Sequence, residues 1–276
     1  MSSLPLAPGR WWSGLDWVEM LHAEWTKLRT LASTGWLLLG VVAVTVGVSA
    51  ATAAAANCRS GGGCQPDAAK LSLTGVQAGQ AIVAILAVLV ISNEYSTGMI
   101  RVTLTAMPRR WSLLGAKAFW TSVLVLAAGV LGVLGSVLVG RLILPGHGFT
   151  AAHGYPPLSL GDGTVLRAAC GSVLYLGLVA LLSLGVATAV RDSAVSIGVV
   201  LGLLYLFPLV AGVIGGDNIW GRRLDQIGPM TAGLYIQVTV GLKSLPLTPW
   251  QGLGVLAAWA FGALLLGALL LRFRDA

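Results

Sequence analysis

The stretch Leu73-Thr-Gly-Val-Gln-Ala-Gly-Gln-Ala-Ile-Val-Ala-Ile-Leu-Ala-Val-Leu-Val-Ile-Ser92 decides the fold. It runs for 20 residues without a charge. Coiled as a helix it is about 30 Å long, the thickness of a bilayer's hydrocarbon core. Five further stretches repeat the pattern: Gly35–Ala56, Ala118–Leu144, Leu166–Val190, Ala194–Gly215 and Trp250–Leu271. The third of the six spans in chain order, Ala118–Leu144, is long enough to tilt or to end in a short external helix. A seventh apolar stretch, Pro229–Leu242, is too short to cross and carries Gln237, Thr239 and Gly241, which predicts an external or re-entrant helix. The expected fold class is an all-α membrane protein with six transmembrane helices, a short external or re-entrant helix between spans five and six, and an amphipathic interfacial helix in front.

Composition agrees. Of 276 residues, 56% are hydrophobic and only 10% charged, where a soluble domain carries about 25%. Mean hydropathy is +0.85. A surface so poor in charge faces lipid, and the 37 glycines suit closely packed membrane helices. These values exclude a disordered chain, a secreted disulfide scaffold, a coiled coil and a soluble enzyme on a single anchor. The net charge of +7 sits in short loops beside apolar runs, where lipid phosphates account for it, and no basic run is long enough to track a nucleic acid.

The chain opens Met1-Ser-Ser-Leu-Pro without a basic segment, so it does not read as a signal peptide. Instead Leu15, Val18, Leu21, Trp25 and Leu28 recur at helical spacing, with Asp16, Glu19, His22, Lys27 and Arg29 on other faces. This pattern predicts a helix lying in the membrane interface, among the tryptophans Trp11, Trp12, Trp17, Trp25 and Trp36. Residues 1–33 therefore form a cytoplasmic tail and interfacial helix, and residues 34–276 one six-span domain. Ten Lys and Arg residues fall on the side of the termini and seven on the other. The short loop before the third span holds Arg101, Arg109, Arg110 and Lys117, which places both termini in the cytoplasm.

The chemistry-bearing residues are few. There is no GxxxxGK[ST] phosphate loop and no HExxH, and Gly61–Gly63 is a loop tip. No catalytic, cofactor-binding or metal-binding residue is expected. His147 and His153 belong to a polar loop with Asp162 and Tyr155 as the nearest further ligands, too few for a metal site. Cys170 lies in an apolar run and is expected to pack as a small hydrophobe. Cys58 and Cys64 flank Arg-Ser-Gly-Gly-Gly; their spacing permits a disulfide on an oxidising side, and two unpaired thiols are the alternative. The centres of all six spans lack Asp, Glu, Lys, Arg and His, which disfavours a secondary transporter and favours a subunit driven by a partner.

The richest local signal is Ile91-Ser-Asn-Glu-Tyr-Ser-Thr-Gly-Met-Ile-Arg-Val-Thr-Leu-Thr-Ala-Met-Pro-Arg-Arg110. Asn93 and Gly98 can break the helix there. Met99, Ile100, Val102, Leu104 and Met107 offer apolar surface, and Pro108 ends the segment. The expectation is a short helix bent off the second span, forming a knob for a partner's groove.

Glu24-Trp-Thr-Lys-Leu-Arg-Thr30 and Ser92-Asn-Glu-Tyr-Ser-Thr-Gly-Met-Ile-Arg101 resemble the corresponding stretches of ABC-2 type transporter permeases, especially the short actinobacterial-looking ones. Pro108-Arg-Arg110 and Lys117 also fit, and the resemblance extends to the whole topology. It implies a multi-pass subunit of an ABC exporter in a bacterial plasma membrane. Two permease copies or homologues would pair, each on a cytoplasmic ATPase that carries ATP and Mg. Carried over residue by residue, Glu94, Tyr95, Ser96, Thr97, Gly98, Met99, Ile100 and Arg101 would form the main ATPase contact. Arg109, Arg110, Glu24, Lys27 and Arg29 would lie near it, and the turn at Arg191 and Asp192 would be a second contact. Met99 departs from the pattern, standing where a small polar residue is expected. The implied cargo is hydrophobic or amphipathic. The rival expectations are a non-transporting immunity, structural or regulatory subunit and a membrane-embedded lipid enzyme.

Overall fold

The computed structural model describes residues 14–30, 32–58, 67–96, 110–151, 155, 157–214 and 219–273. In chain order the helices are α1 (Gly14–Thr30), α2 (Ala32–Ala55), α3 (Ala68–Ser72), α4 (Gly75–Ser96), α5 (Arg110–Ile143), α6 (Gly163–Val190), α7 (Ser193–Ile214), α8 (Ile219–Ile227), α9 (Pro229–Leu234) and α10 (Pro249–Phe273). Six of them, α2, α4 with α3, α5, α6, α7 and α10, are long and apolar enough to cross a membrane. The described residues form no strand.

The expected boundaries shift in ways the local chemistry explains. The second span does not break at Asn93; α4 continues through Glu94 and Tyr95 to Ser96. At its other end Asp67 caps α3 by accepting from the backbone of Ala69 and Lys70, and the chain bends at Leu73 and Thr74 before α4 begins. The third span starts at Arg110, eight residues before the apolar run, and reaches Ile143. Its 34 residues measure about 51 Å, well beyond 30 Å of hydrocarbon. A single 3-10 turn, Leu144–His147, with Pro145 in its first turn, ends it.

Helix α6 is the central post. It packs against α4, α5, α7 and α10. Of its most apolar window 61% is buried, against 17% for α7 and 22% for α2, which stand at the periphery. The core gathers Val83, Ala87, Val125, Tyr175, Leu176, Val179 and Leu204 from four helices. Because lipid is as apolar as leucine, close backbone approach at small residues rather than water exclusion holds such helices together. A Cβ on Gly185 of α6 would lie 2.5 Å from the backbone of Ala263 and Leu264 in α10. Cys170 of α6, expected to be packed, instead faces outward as a free thiol.

Several polar groups in the core pair with one another. Tyr175 Oη donates to Gln80 Oε1, and Gln80 Nε2 donates to Met230 Sδ at 3.2 Å. Gln237 Nε2 donates to Ser172 Oγ at 3.0 Å. These bonds draw residues 229–237 against the bundle, where Met230, Ala232, Ile236 and Gln237 are buried. The expected seventh segment is thus a short helix, α9, continued by a 3-10 turn at Tyr235–Gln237, and it ends well before Leu242. Helix α8 before it was not expected.

At the end of the bundle where α4 begins, Asp67 ties two connections together. Its carboxylate accepts from Thr239 Oγ1 at 2.6 Å and from the backbone N–H groups of Thr239 and Val240. Cys58, Phe149, Leu158 and Val165 form a small cluster at this end. Cys58 is disulfide-bonded; Cys64 and His153 lie outside the described residues. Asp67→Ala removes a helix cap and three further acceptor contacts, and we expect it to destabilise this end by about 2 kcal/mol. Faster proteolysis at Lys243 in purified protein is the readout; an unchanged rate would show that the tie is idle.

Candidate functional site

At the opposite end, α1 packs against α5 and the start of α2, and meets the last turn of α4 through Lys27 and Glu94. The buried face of α1 includes Leu28 and Glu24, while His22, Thr26 and Arg29 are exposed. Glu24 is i+3 from Leu21 and i−4 from Leu28, so the helix carries it into the packed face. Trp25 stacks on Trp120 of α5 with ring centroids 4.6 Å apart, and Trp120 Nε1 donates to the Leu21 carbonyl at 2.8 Å.

Four charges meet under this strap. Lys117 Nζ, whose side chain is only 2% exposed, lies 2.9 Å from Glu24 Oε2 and 2.8 Å from Glu94 Oε1. Lys27 Nζ lies 3.0 Å from Glu24 Oε1 and 3.1 Å from Glu94 Oε1. Two lysines and two glutamates thus alternate in a closed ring of zero formal charge, drawn from α1, α4 and α5. Both Glu24 oxygens are used. Glu94 Oε1 is shared by both lysines, and Glu94 Oε2 is buried without a hydrogen-bond partner among the described residues. Burying charges is tolerated when they are paired in this way, and breaking one pair is strongly destabilising.

Burial alone would raise the Glu24 carboxyl, but the charges and hydrogen bonds of Lys117 and Lys27 outweigh it and hold the group below the usual carboxylate range. Burial likewise works against the Lys27 ammonium, and Glu24 with Glu94 overcomes it and holds the group above its usual value. The linkage signs differ. Glu24's contribution is present above its unfolded pKa, about 4.3, and is lost as pH falls through its lower folded value. The contribution of Lys27 is complete below its unfolded pKa, about 10.4, and is lost as pH rises through its higher folded value. We expect the strap to hold across the whole range between and to loosen only in strong acid or strong base. Fluorescence of the Trp25–Trp120 pair against pH measures this; a transition near neutrality would contradict it.

A second contact sits beside the ring. Arg191 ends α6 with a left-handed backbone, φ 65°, and Asp192 caps α7 by accepting from the Val195 N–H at 2.8 Å. The Arg191 guanidinium carbon lies 5.5 Å from the centre of the Tyr95 ring. Its Nη2 reaches toward the Leu270 carbonyl of α10 at 3.5 Å. The two-residue turn expected from the sequence is therefore present and packs on the ends of α4 and α10.

The expected contact residues divide accordingly. Glu24, Lys27, Glu94, Tyr95, Arg191 and Asp192 gather at one end of the bundle, and Arg29 is exposed there. Glu24 and Glu94, expected at a contact surface, are 3% and 5% exposed and are turned onto lysines of the same chain. Thr97, Gly98, Met99, Ile100, Arg101 and Arg109 lie outside the described residues, as does the bent knob as a whole. Ser96 closes α4 and Arg110 opens α5, with nothing described of their side chains. Sequence reasoning missed Lys117 as the centre of the ring. The signal was available: an acid on the apolar face of α1 demands a buried cation.

Alongside the ring, between α1, α2 and α4, is a cavity of about 340 Å³. Glu94 and Lys27 line one part, and Leu28, Leu37, Leu86 and Leu89 supply apolar wall. Among the described residues no group of three or more His, Cys, Asp or Glu is placed to hold a metal ion. No protein-family model matches the chain, and no curated protein matches it either.

Proposed function

We infer that this chain is the membrane-spanning permease subunit of an ATP-driven exporter of the ABC-2 type, moved by a separate cytoplasmic ATPase that carries ATP and Mg. The observation that carries this reading is the ring of Glu24, Lys27, Glu94 and Lys117. It joins α1, the end of the second span and the start of the third into one body; residues 97–109, the segment assigned to the ATPase contact, connect those two spans in sequence. The turn at Arg191 and Asp192 packs on the same body through Tyr95. A push on the 97–109 segment would therefore reach α1, α4 and α5 as a unit, and reach α6 and α7 through the turn. Coupling requires such an element with different contacts in the two nucleotide states.

In this reading α1 lies in the cytoplasmic interface, both termini are cytoplasmic, and α9 is re-entrant from the outer side. Glu24, Lys27 and Glu94 act as positioning residues within the chain. Met99, Ile100, Arg101, Arg109 and Arg110 are left to meet the ATPase, together with the exposed Arg29. A second permease copy or homologue covers the sparsely packed outer faces of α2 and α7. The cargo is hydrophobic or amphipathic.

Co-purification from native membranes tests the partner: an ATPase with a phosphate-binding loop is expected to come down with this chain, and repeated recovery of the chain alone would contradict the reading. Glu94→Ala combined with Arg101→Ala tests the coupling. We expect transport and its stimulation of ATP hydrolysis to fall by about tenfold or more, in line with typical coupling energies. If both survive unchanged, the coupling assignment fails.

A further inference from the structure

The cavity beside the ring is not required by the ATPase coupling described above. Its wall is apolar along Leu28, Leu37, Leu86 and Leu89, and all four residues of the ring, Glu24, Lys27, Glu94 and Lys117, line it as well. Glu94 is more than nine-tenths buried, and its Oε2 accepts no hydrogen bond among the described residues. A buried carboxylate oxygen with an empty acceptor position calls for a donor. Lys27, its side chain 38% exposed, uses two of its three N–H groups on Glu24 and Glu94 and keeps one for a ligand. The ring itself sums to zero charge, so a ligand of net charge would be buried uncompensated, whereas a zwitterion would not.

We propose that this cavity binds the head of a zwitterionic amphiphile carrying a primary ammonium beside a phosphate, with the ammonium donating to Glu94 Oε2, the phosphate accepting from Lys27, and an aliphatic tail along Leu37, Leu86 and Leu89. The volume is at the small end of ligand cavities, so it takes the head and the beginning of a tail while the rest lies in the bilayer. A quaternary ammonium has no N–H to give and leaves Glu94 Oε2 unpartnered, so ethanolamine heads are selected over choline heads. The site rests on the bundle lying in a bilayer and does not depend on the ATPase partner.

Native mass spectrometry of the full chain, released from nanodiscs of equimolar phosphatidylethanolamine, phosphatidylcholine and phosphatidylglycerol, tests this. We expect one phosphatidylethanolamine to be retained at least about fivefold over either competitor. Glu94→Gln should erase the preference. Because that change also disturbs the ring, Leu89→Trp, which fills the cavity and leaves the four charges in place, should erase it independently. Equal retention of the three lipids, or a preference that survives Leu89→Trp, overturns the proposal. With the site established, its source is read in vesicles holding the chain with its ATPase. ATP-dependent appearance of the ethanolamine amine to an impermeant label on the far leaflet marks cargo, and retention without movement marks a resident lipid. A failed co-purification with an ATPase leaves the mass-spectrometric result standing.

Discussion

Lys117→Met is expected to lower stability by about 3–5 kcal/mol, the usual result of removing one partner from a buried ion pair. The methionine fills the lysine's volume, so the loss comes from charge alone. Lys117 Nζ contacts both Glu24 and Glu94, and without it the ring of two lysines and two glutamates carries one uncompensated negative charge. The exposed part of Lys27 cannot take over both positions. The check is the midpoint of thermal unfolding in detergent, followed by loss of monodisperse protein. Charge balance supplies the control: adding Glu94→Gln to Lys117→Met leaves Glu24 with Lys27 and restores a sum of zero. That double variant should recover at least half of the loss. If it is worse than Lys117→Met, the ring is held by shape and not by charge.

The second large effect lies at the crossing of α6 and α10. A Cβ on Gly185 meets the backbone of Ala263 and Leu264 at 2.5 Å, and one on Gly267 meets the Gly185 carbonyl oxygen at 2.7 Å. Neither neighbour is a flexible side chain, so the helices themselves must separate. Gly185→Ala is expected to lose about 1–3 kcal/mol by overpacking, and Gly185→Leu to abolish recovery of folded protein. Gly262, on the same α10, has nothing within 4 Å of its Cβ position. Gly262→Ala should therefore be recovered at the wild-type level. Equal recovery of Gly185→Leu and Gly262→Ala would mean that this crossing is not tight.

Much of this fold is legible in apolar run length. Each of the six runs contains enough uncharged residues to cross a bilayer, and each becomes one long helix, because a backbone in lipid has no other way to satisfy its N–H and C=O groups. The ends are less legible, since hydropathy falls where helices still continue. Asn93 is polar, yet α4 runs past it because Glu94 finds Lys27 and Lys117 there. Arg110 is charged, yet it opens α5. The amphipathic character of Ile219–Ile227 was hidden by the loop-like residues around it, and α8 was missed.

The candidate site was half legible. Its residues were picked out along the sequence as outward contacts, but pairing depends on which helices end at the same level, and that is a tertiary fact. One clue was local. Glu24 shares a face with Leu21 and Leu28, and an acid in that register cannot be left facing apolar neighbours without a cation. The lysine that answers it is 93 residues away.

The joint between α6 and α7 leaves almost no slack. Two residues, one in a left-handed backbone and one clamped to the next helix by its own carboxylate, forbid sliding of one helix along the other and leave rotation as the soft coordinate. Helix α7 has 22 residues, a lever arm of about 33 Å. A swing of about ten degrees at such a knuckle sweeps the distant tip through roughly 6 Å. That is comparable to the width of an aliphatic chain, so a small torque at the base translates into a displacement of molecular size at the other end.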